Sequence, residues 1–482
     1  ALHVQPITEE LVDRGMQFKT VISQIAETIF GRGFLFFITQ AATAMILILA
    51  ANTSYQDFPR LSSILARDRY MPRQFMNRGD RLVFSNGIVV LAILSSLLII
   101  VFNADVTRLI QLYVVGVFTS FTLSQSGMVK HWFRLRERGW KRSAVINGIG
   151  AVATGLVLIV VTLTKFTHGA YIVVIAIPVI VLMFKGIHRH YRSVAAQLRS
   201  VREPTLGVGT RAVVLVPRID GSVMRALGYA RALRPIELRA LFVGDTEAAD
   251  PVRSSWNTKR IPVQLDVIEE NGDFVDAVRG YVRSIEREGN EFVTVVLPEA
   301  LQGRGMGSFL RQRRELLLKA AMLFEPQVVF TDVPTPSADG DASGLIHPTR
   351  NVAVVLVAGA HNATARALEY ARAIKPTEIR AVTFNVDESE TSKVMRDWSA
   401  RGTDAPLEII DSPYREVTRP ILKLIRQIRA SAKDVVVTIV VPEFVVSKWW
   451  HQFLHNQTAL AIKASLLYEP GVVLTSVPYH LE

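Results

Sequence analysis

Hydroxyl-bearing and small residues recur at regular spacing within one apolar segment. They follow steps of three and four, at Tyr113, Gly116, Ser120, Ser124 and Gly127. This spacing places all five residues on one face of an α-helix. Hydroxyl oxygens can replace the hydration shell of a hard cation such as K⁺ or Na⁺, so Tyr113, Ser120 and Ser124 are candidates for an ion path. Small residues and serines also let membrane helices pack closely, and the sequence leaves both interpretations open.

A second group of polar residues, Asn52 and Thr53, closes the apolar run that begins at Gly33. Their side chains can line an inner vestibule of the same path, or they can cap the end of a helix. None of the apolar segments contains an Asp, Glu, Lys, Arg or His. If transport is coupled to H⁺, the titrating group is therefore expected in a loop or upstream of this sequence.

The elements that would position these residues are five predicted transmembrane helices in a lipid bilayer. Their predicted bounds are 33–51, 82–102, 109–128, 144–164 and 169–184. Six arginines lie between 53 and 81, and six basic residues lie between 129 and 143. The positive-inside rule places these loops and everything after 184 in the cytoplasm, and segment 1–32 outside the cell. An exported N-terminus without a signal sequence suggests a fragment, with an odd number of spans upstream.

The basic segment after the first span has its own periodicity. Phe58, Leu61, Ile64 and Leu65 recur at helical spacing between the arginines. This pattern predicts a separate short amphipathic helix on the inner membrane surface. The dipeptide Met71-Pro72 should end it, because proline disfavours the helical region for the residue before it.

Composition excludes several classes of function. The net charge of +12 does not indicate nucleic-acid binding, because many of the basic residues flank apolar spans. Anionic lipid and membrane orientation explain basic residues at those positions. The chain has no cysteine, so it has neither disulfides nor thiolate metal sites. No Ser-His-Asp order, metal-ligand spacing or paired-carboxylate motif is present. We therefore expect no enzyme, no cofactor and no metal beyond a transported cation.

The second half of the sequence is a tandem duplication. Segment 225–235 recurs as 366–376, and segment 324–334 recurs as 468–478. Two copies in the same order indicate a duplicated domain rather than a short solenoid repeat. The predicted domains are 210–334 and 351–482, after a cytoplasmic linker at 185–209 and separated by a Pro-, Gly-, Ser- and Asp-rich flexible linker at 335–350.

Each copy alternates short apolar strands with helical patterns. This order predicts an α/β domain with a parallel, doubly wound sheet that helices cover on both faces. The predicted strands are 212–217, 237–243, 263–268, 292–298 and 327–333, and then 352–358, 378–384, 407–411, 435–442 and 471–477.

Doubly wound sheets bind ligands outside the carboxyl ends of their strands. His361 and Asn362 follow the first strand of the second copy, so they are candidates for a nucleotide site, although a lone histidine is often without such a role. The glycine-rich segment 303–307 is a weak phosphate loop, because its counterpart 446–450 in the second copy has no glycine. Segment 448–458, with two adjacent tryptophans, suits packing or a docking surface.

Four stretches closely resemble a known family. They are "ANTSYQDFPRLSSILARDRYMPRQF", "RGDRLVFSNGI", "LYVVGVFTSFTLSQSGM" and "PEFVVSKWWHQFLHNQT". They resemble the KimA-type potassium importers of the amino acid-polyamine-organocation superfamily. The resemblance implies a LeuT-like fold of twelve helices, of which this chain looks like the last five. It further implies a homodimer, proton-coupled K⁺ uptake at the cytoplasmic membrane, and cytoplasmic domains similar to universal stress proteins that receive cyclic di-AMP as an inhibitor.

The resemblance also suggests roles for single residues. Tyr113 looks like a tyrosine of the family's ion path, and Arg73 and His361 are candidates for the dinucleotide pocket, where an arginine would meet phosphate. Both copies lack the stress-protein phosphate signature, a Gly-x-x-Gly run ending in Gly-Ser, which argues against ATP. An amino-acid permease of the same superfamily, or a membrane-anchored nucleotide sensor without transport, remains an alternative.

Overall fold

The computed structural model divides the chain into two compact units. The first contains residues up to 78 and 83–188, and the second contains 79–82 and 189–482. The described residues are 20–76, 84–166, 169–199, 209–270, 272–300, 306–335, 348, 350–386, 388–412, 417–431, 434–446, 457–466, 469 and 471–481.

The first unit consists of apolar helices. They are α1 (Val21–Phe30), α2 (Phe34–Arg67), α3 (Ser85–Val101), α4 (Val106–Leu135), α5 (Trp140–Lys165) and α6 (Ala170–Arg199), with a short 3₁₀ turn at Arg73–Met76. The part of α6 after residue 188 belongs to the second unit. The Thr20 side chain caps α1 by accepting a hydrogen bond from the Ser23 amide at 3.2 Å. Gly31 separates α1 from α2 with a φ of 62°, a conformation that glycine adopts without a steric penalty.

Four helices in the described part of the chain are long and apolar enough to cross a membrane. They are Phe34–Arg67, Leu109–Leu135, Trp140–Lys165 and Ala170–Leu198. The segment predicted as the second span forms the 17-residue helix α3, which is about 26 Å long at 1.5 Å per residue. It lies at the short end of the spanning range, so the prediction of five spans stays a prediction.

Helix α2 corrects the prediction of a span followed by a separate amphipathic helix. It has 34 residues without a break and continues through Pro59 to Arg67, just before Met71-Pro72. Its buried face consists of Pro59, Ser62, Ser63 and Ala66, whereas Leu61 and Ile64 are exposed. The face of α2 that packs against protein is therefore the small and polar one, and contact of the exposed apolar residues with lipid stays a prediction.

Close approach between helices depends on small residues in the first unit. A Cβ atom on Gly87 of α3 would lie 2.8 Å from the Pro59 Cα atom of α2, so only glycine permits this contact. Helices α4 and α5 pack along much of their length, and the Thr122 and Thr154 hydroxyls bond across them at 3.1 Å. Gly150 leaves room beside the Gln125 side chain at the same contact.

The second unit contains both α/β copies. The first copy consists of β1 (Thr210–Leu215), α7 (Gly221–Ala232), β2 (Glu237–Val243), α8 (Thr246–Thr258), β3 (Gln264–Ile268), α9 (Phe274–Ser284), β4 (Phe292–Ala300), α10 (Met306–Leu323) and β5 (Val328–Thr335). The second copy consists of β6 (Arg350–Leu356), α11 (Asn362–Ala373), β7 (Glu378–Asn385), α12 (Glu388–Ala400), β8 (Leu407–Asp411), α13 (Thr418–Ala430), β9 (Val435–Val446), α14 (Gln457–Leu466) and β10 (Val472–Leu481). The predicted strand order and the fold class are confirmed.

The two copies form one sheet. Its ten strands run in the order β3-β2-β1-β4-β5-β10-β9-β6-β7-β8. The neighbours within each copy are parallel, and the copies join where β5 and β10 pair antiparallel, with Thr331 opposite Thr475. Most of the linker predicted at 335–350 lies outside the described residues. The linker predicted at 185–209 is helical up to Arg199, as the end of α6.

One apolar layer is shared between the copies. It contains the buried faces of α7 and α11, including Tyr229 and Tyr370, together with side chains from both halves of the sheet. On the opposite face each copy has its own core, around Val278 in the first copy and Ile421 in the second. Each fully buried aliphatic side chain of this kind contributes about 1.5–3 kcal/mol to folding. The two copies therefore fold around a common centre.

Candidate functional site

The predicted hydroxyl face of α4 is open in the first unit. The Tyr113 side chain is 68% exposed, and Ser120 and Ser124 are exposed as well. The contact with α5 uses a different face of α4, which carries Thr122 and Gln125. Their polar groups face a partner helix, whereas the oxygens of the predicted path are free to meet a ligand or another helix. Sequence periodicity identified a face, but it missed the packing role of Thr122.

Asn52 and Thr53 lie in the interior of α2, and both are exposed. The Thr53 hydroxyl donates a hydrogen bond to the Leu49 carbonyl at 3.1 Å, as a threonine inside a helix does. The interpretation of these residues as helix caps is therefore wrong, because the helix continues for fourteen residues beyond Thr53. The vestibule interpretation remains a prediction.

Arg73 opens the 3₁₀ turn after α2, and its side chain is exposed. The preceding turn is fixed by a stack between the rings of Tyr70 and His188, whose centroids are 4.3 Å apart. The His188 Nδ1 atom also lies 3.2 Å from the Asp68 carbonyl oxygen. Arg73 thus extends from an ordered turn of the first unit, and its proposed partner His361 lies in the second unit.

His361 and Asn362 lie where β6 leads into α11, at the carboxyl edge of the sheet. The His361 Nδ1 atom accepts a hydrogen bond from the Thr364 amide at 3.4 Å. Its ring lies 5.5 Å from the Phe444 ring. Asn362 is only 3% exposed, and its Oδ1 atom accepts from Arg401 at 3.4 Å. His361 therefore borders the ligand edge as a helix cap, whereas Asn362 belongs to the interior.

The equivalent position in the first copy is Asp220, which caps α7 by accepting from the Ser222 and Val223 amides. Burial would raise the pKa of Asp220, but hydrogen bonds from Ser222, Arg218 and Val223 keep it below the usual value. An ionised carboxylate at this edge disfavours a phosphate group. The second copy has His361 at this position in place of a carboxylate, so its edge is the more favourable one for an anion.

The last turns of α6 cover the edge of the second copy. Val194 and Leu198 pack with Val446 of β9 and Leu481 of β10, and Phe444 lies against the same cluster. Both strands run past their predicted ends at 442 and 477, where these contacts with α6 form. Strand patterns alone gave no sign of this contact, because it depends on a helix that is distant in sequence.

A buried ionic cluster lies near the carboxyl ends of β4 and β5. The Lys319 Nζ atom of α10 is 2.9 Å from Asp332 Oδ1 and 3.7 Å from Glu299 Oε1. Burial raises the pKa of Glu299 to about 7; Lys319 opposes this rise and Asp332 adds to it. The second copy keeps the glutamate and the lysine as Glu443 and Lys463 but has a serine in place of Asp332.

The join between the copies is a set of reciprocal hydrogen bonds. The Tyr229 hydroxyl of the first copy lies 3.2 Å from Thr438 Oγ1 of the second. The Tyr370 hydroxyl of the second copy lies 3.1 Å from Thr294 Oγ1 of the first. Burial raises the pKa of Tyr370 to about 12 and also raises the pKa of Tyr229, so both phenols stay neutral. The spacing of the sequence repeat could have revealed this set, because each partner has its counterpart.

Two predicted motifs fall largely outside the described residues, namely 303–305 of the glycine-rich segment and 447–456 of the tryptophan-containing segment. Within the described ranges, no group of three His, Asp or Glu residues is placed to hold a metal ion. The carboxyl edges of the two copies differ in charge, with Asp220 at one and His361 at the other.

Comparison with known proteins assigns this module. The family model described as "KimA potassium transporter C-terminal domain" matches residues 209–335 and again residues 349–479. The chain belongs to this family. A model described as "Amino acid permease" matches residues 8–184. The apolar helices and the permease match together make the chain a membrane protein, and the resemblance to KimA-type transporters is confirmed.

A curated relative of the KimA family agrees with this assignment. The chain is 35% identical over 321 residues to "Potassium transporter KimA" of Bacillus subtilis (strain 168), covering 66% of this chain and 53% of that protein. The chain thus spans about half the length of this relative. A solved structure titled "Crystal structure of the cytoplasmic domain of a prokaryotic cation chloride cotransporter" aligns with a TM-score of 0.33 and 9% identity, over 56% of this chain and 95% of the other.

Proposed function

We propose that this protein takes part in proton-coupled K⁺ uptake across the cytoplasmic membrane, as a transporter rather than an enzyme. The observation that carries the proposal is the double match of the second unit to the KimA C-terminal domain. The relative named as a potassium transporter and the permease match over residues 8–184 support the same class. In this proposal, the bilayer surrounds the helices of the first unit, and the second unit lies in the cytoplasm of a homodimer.

The proposed ion path uses the open hydroxyl face of α4. Tyr113, Ser120 and Ser124 offer oxygens to a dehydrated K⁺ ion, and Asn52 and Thr53 of α2 line its inner mouth. Tyr113→Phe should lower Rb⁺ uptake about tenfold, because losing one oxygen partner costs about 1–1.5 kcal/mol. Tyr171→Phe is the matched control, because it removes the same hydroxyl from an exposed tyrosine of α6.

The test is isotope uptake by cells that lack their own K⁺ importers and express the complete protein. Rb⁺ accumulation that a protonophore abolishes would support K⁺ transport and its coupling to H⁺. Rb⁺ accumulation that persists without a proton gradient would refute the coupling to H⁺ but not the proposal of K⁺ transport. If the Tyr113 and Tyr171 variants lost Rb⁺ uptake to the same extent, the proposed ion path along α4 would be refuted.

An amino-acid permease is the second candidate, because a permease model matches residues 8–184. The same cells distinguish the two candidates when labelled amino acids replace Rb⁺. Accumulation of an amino acid without Rb⁺ accumulation would favour the permease and refute K⁺ transport.

We also propose that the second unit binds cyclic di-AMP as an inhibitory ligand at the edge of the second copy. The support is the cap His361, which stands where the first copy has the anionic Asp220. Arg73 is a second candidate residue that the family resemblance suggests, because an arginine pairs well with phosphate. Asn362 is too buried to contact a ligand directly, so its proposed role is to hold the cap through Arg401.

Calorimetry of the whole protein with cyclic di-AMP tests this part. His361→Asn keeps a good helix cap and removes the imidazole, and His361→Asp restores the charge of the first copy. Binding should weaken modestly in the first variant and about tenfold or more in the second, and Arg73→Gln should also cost about tenfold. No heat with the wild-type protein would refute the regulator and leave K⁺ uptake standing.

A further inference from the structure

The sequence repeat gives each residue of one copy a counterpart in the other. Arg225 and Tyr229 of α7 correspond to Arg366 and Tyr370 of α11. Alignment of Thr294 with Thr438 makes Phe292 of β4 the counterpart of Val436 of β9. The two arginines therefore occupy equivalent places in the shared layer, and one difference between their surroundings is Phe292 beside Arg366 and Val436 beside Arg225.

The Arg366 side is filled. The Phe292 ring packs edge-on to the Tyr370 ring, with centroids 5.3 Å apart. The Arg366 Cζ atom lies 5.3 Å from the Phe292 centroid, and its Nε atom donates to the Pro478 carbonyl at 3.1 Å. An aromatic ring and a carbonyl thus satisfy this guanidinium.

The Arg225 side is not filled. The shorter Val436 leaves a cavity of about 40 Å³, which Arg225, Tyr229, Pro334, Val436 and Gly471 help to line. The Arg225 Nε atom is buried and has no hydrogen-bond partner among the described residues. No carboxylate is among the described residues that line the cavity. A guanidinium N–H that is buried without a partner is costly, so this site calls for an acceptor.

The size of the cavity decides which acceptor fits. A water molecule needs about 10–15 Å³, whereas a cavity that holds benzene measures about 150 Å³. A cavity of this volume cannot enclose a nucleobase, which is larger than benzene, but it can hold a small ion. A negative ion also supplies the countercharge that the cavity walls lack.

We propose that this cavity binds a small inorganic monovalent anion, of the size of chloride, against the Arg225 guanidinium. The walls come from both copies, with Tyr229 and Pro334 from the first and Val436 and Gly471 from the second. Bound anion therefore holds the two halves of the ten-stranded sheet together. Anion binding at this join is independent of whether the carboxyl edges bind a nucleotide.

The experiment measures thermal unfolding of the whole protein in detergent, in sodium chloride and in sodium gluconate at equal concentrations. Gluconate is too large for the cavity. Chloride at several times its dissociation constant should raise Tm by about 2 to 4 °C over gluconate. Arg225→Gln should abolish this difference, and Val436→Phe should abolish it by filling the cavity as Phe292 fills the other side. Arg366→Gln is the matched control and should keep it.

Two outcomes would overturn the proposal. One is an equal chloride effect in the wild-type, Arg225→Gln and Arg366→Gln proteins, which would reveal a general salt effect. The other comes from crystals grown in bromide. An anomalous peak beside Arg225 is expected, and a cavity that holds only water would refute an anion site even if Val436→Phe failed to fold.

Discussion

Glu299→Gln should stabilise the second unit at neutral and alkaline pH. Lys319 supplies one positive charge to two buried carboxylates, Glu299 and Asp332, whose side chains are 15% and 11% exposed. Asp332 is the closer carboxylate, at 2.9 Å from the Lys319 Nζ atom, so its charge is stabilised more by the ammonium than that of Glu299 is. Burial raises the pKa of Glu299 to about 7, because Lys319 offsets only part of the cost of burying its charge and Asp332 adds to that cost.

The magnitude follows from that pKa. A rise from 4.5 to about 7 corresponds to about 3 kcal/mol, since each tenfold change in proton affinity is worth about 1.4 kcal/mol. Between these pH values the folded state holds a proton that the unfolded state has released. The free energy of unfolding should therefore fall as pH rises from about 4.5 to about 7, and then stay level. Glutamine is neutral throughout, so the variant should lose this slope and exceed wild type by up to about 3 kcal/mol at pH 8.

Thermal unfolding of the whole protein between pH 5 and 8 is the assay. The matched control is Glu443→Gln in the second copy, where Ser476 replaces the second carboxylate and Lys463 has one acidic partner. That variant leaves an ammonium without its carboxylate and should destabilise by about 3 kcal/mol at every pH in this range. If Glu299→Gln destabilised the protein at pH 8, or if both variants behaved alike, the charge imbalance in the first copy would be refuted.

Three further predictions concern packing and orientation. Tyr370→Phe should cost about 0.5–1.5 kcal/mol, because Thr294 loses the Tyr370 hydroxyl and keeps its bond with the Thr210 hydroxyl at 2.7 Å; unchanged chemical denaturation would contradict the reciprocal bonds. Gly87→Ala should cost about 1–3 kcal/mol, because its Cβ would collide with Pro59; an unaltered Tm would show that α2 and α3 do not approach so closely. Arg69→Cys introduces a thiol into a chain that has no cysteine, and it should react with impermeant maleimide only after the cells are opened. Labelling in intact cells would reverse the proposed orientation.

The sequence predicted the strands and helices of each copy well, because short β-branched runs alternate with helical patterns and occur twice. It did not predict that β5 and β10 pair antiparallel. Each copy by itself satisfies the pattern of a parallel sheet, and the join depends on tertiary contacts such as Thr331 with Thr475, which are 3.0 Å apart. The residue pattern within one strand shows which face is buried, but it does not show which strand lies beside it.

The site was predicted less completely than the fold. Asn52 and Thr53 looked like a helix end because they are polar after an apolar run, yet no glycine follows them and the helix continues. His361 was placed correctly at the edge of the sheet, since an edge position follows from the end of a strand. The cover that α6 forms over that edge was not foreseen, because hydrophobic periodicity shows which face of a helix is buried but not what buries it.

Because β5 pairs antiparallel with β10, the first copy depends on the second copy to cover its edge strand. A protein cut after the first copy would present β5 as a free edge, and its side chains, almost all buried here, would then meet water. An apolar, unpaired edge strand recruits other strands and aggregates. Truncation should therefore yield insoluble material rather than a smaller soluble domain, and a shortened design would need charged or proline residues along Val328–Thr335 first.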